Sequence, residues 1–233
     1  MNQKLLFAQN NGKVSFINMN VDKIEEQKQE EILQIKKRSD QKKLTTMEHK
    51  NGSQYLFLGQ FLPQIYDVEN SKLVWKGKNV SNDEDDLEIP LYDTDGQFLP
   101  GSKKEFVISN GYGKIRLYDI CKNAKPVVDV QATDYLLSKI KTTNCGNYII
   151  YSSQRGDLAK CDIRMNFRMV HKFKGAKGTI RDIAVSNEFV ACVGLDRYLR
   201  VYHHETRESI SNVYLKQKLR SEEHTSELQS HAP

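Results

Sequence analysis

The feature that most limits what this chain can fold into is a short two-part signature that returns five times. In its clearest form, Phe106, Val107 and Ile108 make an apolar run. Asn110-Gly111 and Gly113 follow as a turn suited to positive φ. Ile115 and Leu117 then alternate with Lys114 and Arg116, and the segment closes on Tyr118-Asp119. This pattern predicts a β-hairpin with one apolar and one basic face. Asn11-Gly12 before Val14, Phe16 and Asn18 gives a second copy. Residues 55–58, the Gly59-Gln60 turn and residues 61–67 give a third, in which Pro63 predicts a bulge because proline donates no ladder hydrogen bond. Residues 148–152, 154–156 and 158–162 give a fourth, and residues 189–193, 194–197 and 199–203 a fifth. The closing residues Asn18, Asp67, Asp119, Asp162 and His203 are spaced by 49, 52, 43 and 41 positions.

Spacings near ~40–45 residues are those of four-stranded propeller blades, and the two longer intervals leave room for insertions. The Tyr118-Asp119 pair stands in the place of the Trp-Asp pair of a WD repeat. The fifth copy is the fullest. Residues 173–180 stand where such a repeat has its Gly-His and following strand; Ile180, Ile183 and Val185 are expected on the innermost strand, and Asp196 at the tight turn. Ala176 occupies the histidine position, so the bracing His–Asp network is absent and the propeller is a diverged one. The expected fold class is therefore all-β, a WD-repeat β-propeller in an incomplete arc of about five blades. The repeats fill residues 1–219, with boundaries near 20, 68, 120, 163 and 204. The chain is expected to open within the second half of a blade, and the run 213–219 to begin a further strand, so that the blades form a fragment with unpaired edges. Residues 220–230 match the in-frame translation of a sequencing-adapter oligonucleotide, so 220–233 are set apart as non-native and expected to pack against little. Without that tail's one Arg and three Glu, 34 basic and 27 acidic residues remain, a charge of +7 rather than +5.

Composition narrows the function classes. No stretch approaches the ~20 apolar residues of a membrane span, and the apolar core at the N-terminus is too short for a signal peptide. Cys121, Cys145, Cys161 and Cys192 lie 24, 16 and 31 residues apart, without metal-ligand spacing. They read as reduced thiols in a cytosolic or nuclear protein. A glycine-rich phosphate loop, a nucleophile motif and a helical histidine pair are all missing, so the chain is read as no enzyme, with no cofactor and no small-molecule substrate. Ser152-Ser153 has no adjacent base motif, and His171, His203 and His204 read as structural or exposed.

Two charged segments interrupt the repeats. Residues 22–50 hold eight basic and seven acidic residues and read as an outer strand plus a loop; Ile24, Ile32, Leu33 and Ile35 sustain no heptad. The segment from Lys78 onward is acidic and longer than a blade requires. Its residues 83–86, Asp-Glu-Asp-Asp, lack the alternating oxygen ligands and glycine of a calcium loop. A long charged loop at a blade junction is instead a candidate partner-binding loop, with Lys78, Asn79, Asn82, Asp83, Asp86, Asp93 and Asp95 as its residues. Asn82 and Asp83 equally suit bonds within the loop. Lys114, Arg116, Arg155, Arg164, Lys174, Lys177, Arg197 and Arg200 recur at turns and on polar strand faces, and are candidate RNA phosphate contacts. Lys160 shares that pattern. Tyr112, Tyr118, Tyr148, Tyr151, Tyr198 and Tyr202 sit at strand positions, for packing first and base stacking second.

One resemblance is closer than the generic repeat. Lys78-Asn79-Val80, Asn82-Asp83, Asp86-Leu87, Pro90, Asp93, Asp95 and residues 98–101 resemble the WD-repeat ribosome-biogenesis factors of the precursor large ribosomal subunit. So do Gly111-Tyr112, Arg116, Tyr118-Asp119, residues 125–127, residues 194–197 with Leu199-Arg200, and residues 213–216. The resemblance implies a propeller of seven blades, of which about five are present. It implies a nuclear and nucleolar, non-catalytic assembly factor that docks other pre-ribosomal particle proteins and pre-ribosomal RNA, and that an AAA-type ATPase later releases. Family members usually carry a basic tail after the propeller. The alternative reading is a generic WD-repeat scaffold, or a peptide-reading adaptor in signalling or ubiquitin ligation.

Overall fold

The computed structural model describes residues 3–9, 13–19, 30–34, 43–51, 53–82, 84–102 and 104–216. Among them, five sheets follow one another along the chain. The first has three strands, β1 (Gln3–Ala8), β2 (Lys13–Met19) and β3 (Glu30–Gln34). The second runs β4 (Leu44–Asn51), β5 (Gln54–Gly59), β6 (Gln64–Asp67) and β7 (Lys72–Lys76). The third runs β8 (Asp93–Phe98), β9 (Glu105–Asn110), β10 (Lys114–Asp119) and β11 (Val128–Gln131). The fourth runs β12 (Leu137–Thr142), β13 (Tyr148–Ser153), β14 (Leu158–Asp162) and β15 (Arg168–Phe173), and the fifth β16 (Ile180–Val185), β17 (Phe189–Gly194), β18 (Tyr198–His203) and β19 (Ser209–Tyr214). In every sheet each strand neighbours the next in sequence, the up-and-down order of a propeller blade. The fold class is all-β, as the repeats predict.

The chain divides into two compact units: Met1–Phe98 with Ser102–Ile108 and Arg116–Asp129, and Leu99–Gly101 with Ser109–Ile115 and Val130–Pro233. In the first unit, β5 is apolar at consecutive positions because both its faces are covered. Phe57 joins a cluster with Val14, Leu44 and Tyr66. Leu56 and Leu58, pointing the other way, pack with Ile65, Phe106, Ile108 and Tyr118. Within that second cluster Phe106 and Tyr118 stack with ring centroids 5.2 Å apart and planes 5° apart, and Trp75 meets both edge-on at 5.5 and 5.9 Å. The second unit has its own core of Ile150, Leu158, Phe173, Ile180, Ile183, Val190, Cys192 and Tyr202.

The recurring closing residue has a structural job. Asp67, Asp119, Asp162 and His203 each end the third strand of a sheet. Asp67 Oδ1 accepts from Ser53 Oγ at 2.6 Å and from the Glu69 amide at 3.2 Å. Asp119 accepts from the Cys121 amide, and Asp162 from the Arg164 amide, both at 2.9 Å. His203 Nδ1 takes the same place in the fifth sheet, accepting from the Glu205 and Thr206 amides at 3.2 Å. Each thus satisfies the corner leading to the outer strand. These bonds hold the three carboxyls below the usual carboxylate range: Asp67 chiefly through Ser53, Asp119 through the Cys121 amide, Asp162 through the Arg164 side chain.

Four expectations need correction. Strand β6 begins after Pro63, whose carbonyl accepts from the Gly77 amide at 2.8 Å; the irregular register lies instead between Ile65 and Tyr66. Val213 and Tyr214 belong to β19, the outer strand of the fifth sheet, and start no new blade. Asp93 and Asp95 are buried in β8 rather than displayed on the loop. Strand β10 has no basic face, because Arg116 is 1 % exposed and pairs with Asp129 at 3.3 Å. Asn11-Gly12, Asp83 and residues 217–233 lie outside the described residues.

Candidate functional site

The acidic segment is a loop of the first unit between β7 and β8. It is stapled from within. The Asn79 side-chain amide donates to the Ile89 carbonyl at 2.7 Å, and its oxygen accepts from the Val80 amide at 2.9 Å. Asn82 donates to both the Asp86 carbonyl and its carboxylate, at 3.0 and 2.9 Å, with Asp86 in the left-handed region at φ 61°. The Lys78 amide donates to the Ala124 carbonyl at 2.8 Å, and Lys125 Nζ reaches Ser81 Oγ at 3.4 Å. Glu84, Asp85, Asp86 and Glu88 are all exposed around Leu87, which is 62 % exposed. The two asparagines are therefore the loop's scaffold, and the displayed chemistry is carboxylate around one leucine.

Where the loop ends, Asp93 turns inward. Its side chain is 1 % exposed, and neither carboxylate oxygen has a hydrogen-bond partner. Burial pushes its pKa up to about 7, opposed by the nearby positive charge of Arg116. The Thr45 hydroxyl donates to the Asp93 backbone carbonyl at 2.6 Å, which pins this strand start.

The second unit carries a basic rim. In an antiparallel meander, the turns between second and third strands and the links into the next sheet share one end of the sheets. Gly113, at φ 78°, brings the Tyr112 turn against the next link: a Cβ there would fall 1.8 Å from the Thr133 carbonyl oxygen. Gln131 Nε2 also ties the Tyr112 carbonyl (2.8 Å) to that of Thr133 (2.6 Å). The Gln154 amide donates to the Leu136 carbonyl at 2.8 Å, and the Thr179 hydroxyl to the Gln154 carbonyl at 3.0 Å. The Leu195 amide then donates to the Thr179 carbonyl at 3.0 Å, and the Lys177 amide to the Asp196 carboxylate at 3.2 Å.

Along this chain of contacts Tyr112, Tyr135, Arg155, Lys174, Lys177 and Arg197 are exposed. The Arg155 guanidinium lies over the Tyr135 ring, 4.9 Å from its centroid, and bonds the Tyr135 hydroxyl. Arg197 reaches the Tyr214 hydroxyl at 3.4 Å. Lys114, half-buried, opens β10 beside the Tyr112 turn, its amide donating to Asn110 Oδ1 at 2.8 Å.

The structure thus separates the eight candidate cations. Lys114, Arg155, Lys174, Lys177 and Arg197 share the rim. Arg164 lies at the opposite end of its sheet, after β14, held by Asp162 at 2.8 Å. Arg116 and Arg200 are buried and paired, Arg200 with the tight-turn Asp196. Asp196 therefore braces its turn through an arginine in place of a histidine. Tyr118, Tyr151 and Tyr202 are core residues.

Sequence reading missed two arrangements. Tyr135 carries no repeat signal, since it sits in a link. Lys160 reads as a surface lysine yet is 1 % exposed, over the Tyr148 ring at 4.3 Å, bonded to Glu205 at 2.8 Å and 3.3 Å from His204 Nδ1. Burial and the Lys160 charge hold the His171 and His204 pKa values down, and both Nε2 atoms are buried without a partner. Among the described residues, no group of three or more His, Cys, Asp or Glu is placed to hold a metal, and no helix is long and apolar enough to cross a membrane. The four cysteines are free thiols, with Cys121 and Cys145 exposed and Cys161 and Cys192 buried.

No family model matches the chain. Against individual proteins it is 36% identical over 161 residues to WD repeat-containing protein 74 of Homo sapiens, covering 67% of this chain and 41% of that protein. The mouse protein of the same name is 35% identical over 161 residues, with the same coverage. Ribosome biogenesis protein NSA1 of the yeast Meyerozyma guilliermondii is 28% identical over 172 residues, covering 64% of this chain and 43% of that protein. The chain spans about two fifths of the length of the curated relatives it matches.

Proposed function

We propose that this chain, a homologue of WD-repeat ribosome-biogenesis proteins, is a non-catalytic docking platform in assembly of the large ribosomal subunit. The observation that carries the reading is the loop between β7 and β8. It presents four exposed acidic residues and Leu87 on a segment fixed by Asn79 and Asn82, so its shape is set before a partner arrives. Preorganisation reduces the ordering cost of association. Carboxylates around an apolar residue fit a basic, partly apolar segment of another assembly factor. Work in the nucleolus on pre-ribosomal particles, and release by an AAA-type ATPase, are parts of the same proposal and come from the family resemblance.

The test is sedimentation. The tagged full-length protein should travel with large-subunit precursors, and its depletion should cause unprocessed ribosomal RNA to accumulate. Absence from those particles overturns the reading.

A further inference from the structure

We infer that the rim of the second unit formed by Tyr112, Tyr135, Arg155, Lys174, Lys177 and Arg197 binds single-stranded RNA, stacking bases on the tyrosines and holding phosphates with the cations. This deepens the docking reading by giving one surface a ligand class, and it stands on the geometry of that rim.

Cations and aromatic rings alternate along the rim. All six residues are exposed, and a ladder of backbone and side-chain bonds from Tyr112 through Thr133, Leu136, Gln154 and Thr179 to Leu195 makes the surface continuous. Single strands are bound by positive tracks interleaved with aromatic faces, because every base has a π-face and every nucleotide a phosphate. An acidic peptide would need the cations alone. Here Tyr112 remains 45 % and Tyr135 42 % exposed.

The carboxylates beside the rim are largely engaged within the protein. Asp196 is taken by Arg200 and the Lys177 amide, and Asp157 by Lys172 at 3.5 Å. Asp134 is the exposed carboxylate beside Tyr135. Arg155 already lies over Tyr135, so a planar guanidinium and a ring are held together for a nucleotide. Duplex RNA offers no free base faces, which makes a single-stranded loop or end the fitting target.

The experiment is fluorescence anisotropy of the full chain with a labelled oligouridine of about 20 nucleotides, longer than one ~4–16-nucleotide track. A duplex of equal length and polyglutamate serve as competitors. Wild type should bind oligouridine in a salt-dependent way and prefer it to both. Arg155→Ala with Lys177→Ala should weaken binding about tenfold and lower the salt slope by roughly 1–2. Tyr135→Ala should weaken it by about fivefold or more, while Tyr135→Phe keeps it within about twofold, since the phenyl face is retained. Arg164→Ala, at the other end of the sheet, should bind as wild type. Circular dichroism establishes that each variant is folded. No binding by wild type, displacement by polyglutamate as readily as by RNA, or equal losses for Arg164→Ala and Tyr135→Ala overturns the inference. A chain that ignores RNA but still sediments with large-subunit precursors sinks this inference and leaves the docking reading standing.

Discussion

Asn79 donates its side-chain amide to the carbonyl of Ile89, ten positions along the chain, at 2.7 Å, and so closes the acidic loop on itself. The bond lies outside the regular ladders and fixes a segment that is otherwise irregular. Replacing Asn79 by Ala should cost roughly 1–3 kcal/mol, the net worth of its two partly buried hydrogen bonds. The larger effect should be local: proteolysis beside Leu87 and Glu88 should quicken several-fold (an order-of-magnitude expectation from loss of local protection). Cleavage rates equal to wild type would show that Asn82 and the Lys78 amide hold the loop unaided.

Asp93 sets a pH dependence. Its folded-state pKa, about 7, lies above the ordinary 3.8. The folded chain therefore keeps a proton that the unfolded chain releases, and stability falls as pH rises from about 4 to about 7. Above that window the loss is complete. Asp93→Asn should flatten this decline, with a difference between the two proteins on the order of 1–3 kcal/mol across pH 5 to 8 after allowing for Arg116. Denaturant titrations at both pH values measure it, and parallel curves would refute the assignment.

His171 and His204 act in the opposite direction. Their pKa values are lowered, so the unfolded chain binds protons first as pH falls through the ordinary histidine value of 6.5. Stability from these groups is full above that value and is lost progressively in acid. The double substitution His171→Gln with His204→Gln should lose less stability than wild type between pH 7 and pH 5. An identical loss would show that both rings are solvated when folded.

Two glycines with almost the same backbone angle should respond differently to alanine. Gly113 has φ 78° and no space for a Cβ, whereas Gly101 has φ 79° and nothing within 4 Å. Gly101→Ala should cost about 1 kcal/mol from the left-handed backbone. Gly113→Ala should cost more, roughly 2–4 kcal/mol, because the Thr133 carbonyl must move. Thermal melts of the pair decide this; equal costs would mean that the link yields freely.

Trp75, the chain's one tryptophan, reports on the aromatic cluster it edges. Phe106→Ala removes the ring shared by the Tyr118 stack and the Trp75 contact, and should destabilise by about 3–5 kcal/mol. Tryptophan emission should shift to the red and the denaturation midpoint fall. An unchanged emission maximum in the variant would show that Trp75 keeps its environment without Phe106.

Much of the architecture was legible because it repeats. The closing residues Asp67, Asp119, Asp162 and His203 mark the third strands, since turn chemistry and alternation are local properties. The charged residues were less legible. Arg116 and Arg200 read as a polar face, but each pairs with a carboxylate that folding brings near, Asp129 or Asp196. Asp93 and Asp95 read as loop because polar residues open the innermost strand. Burial there is imposed by neighbouring strands, which a window along the sequence does not contain. Tyr135 and Lys160 take their environments from residues 20 and 44 to 45 positions away.

His203 at the corner where three other sheets carry aspartate has a wider consequence. What is kept from module to module is an acceptor aimed at the amides two or three positions on, not a residue type. Each corner settles its own demand within its own sheet, so an exchange in one sheet makes no claim on the others. A molecule built this way can drift piecemeal, rewriting one edge for a new neighbour while the remaining modules keep their form.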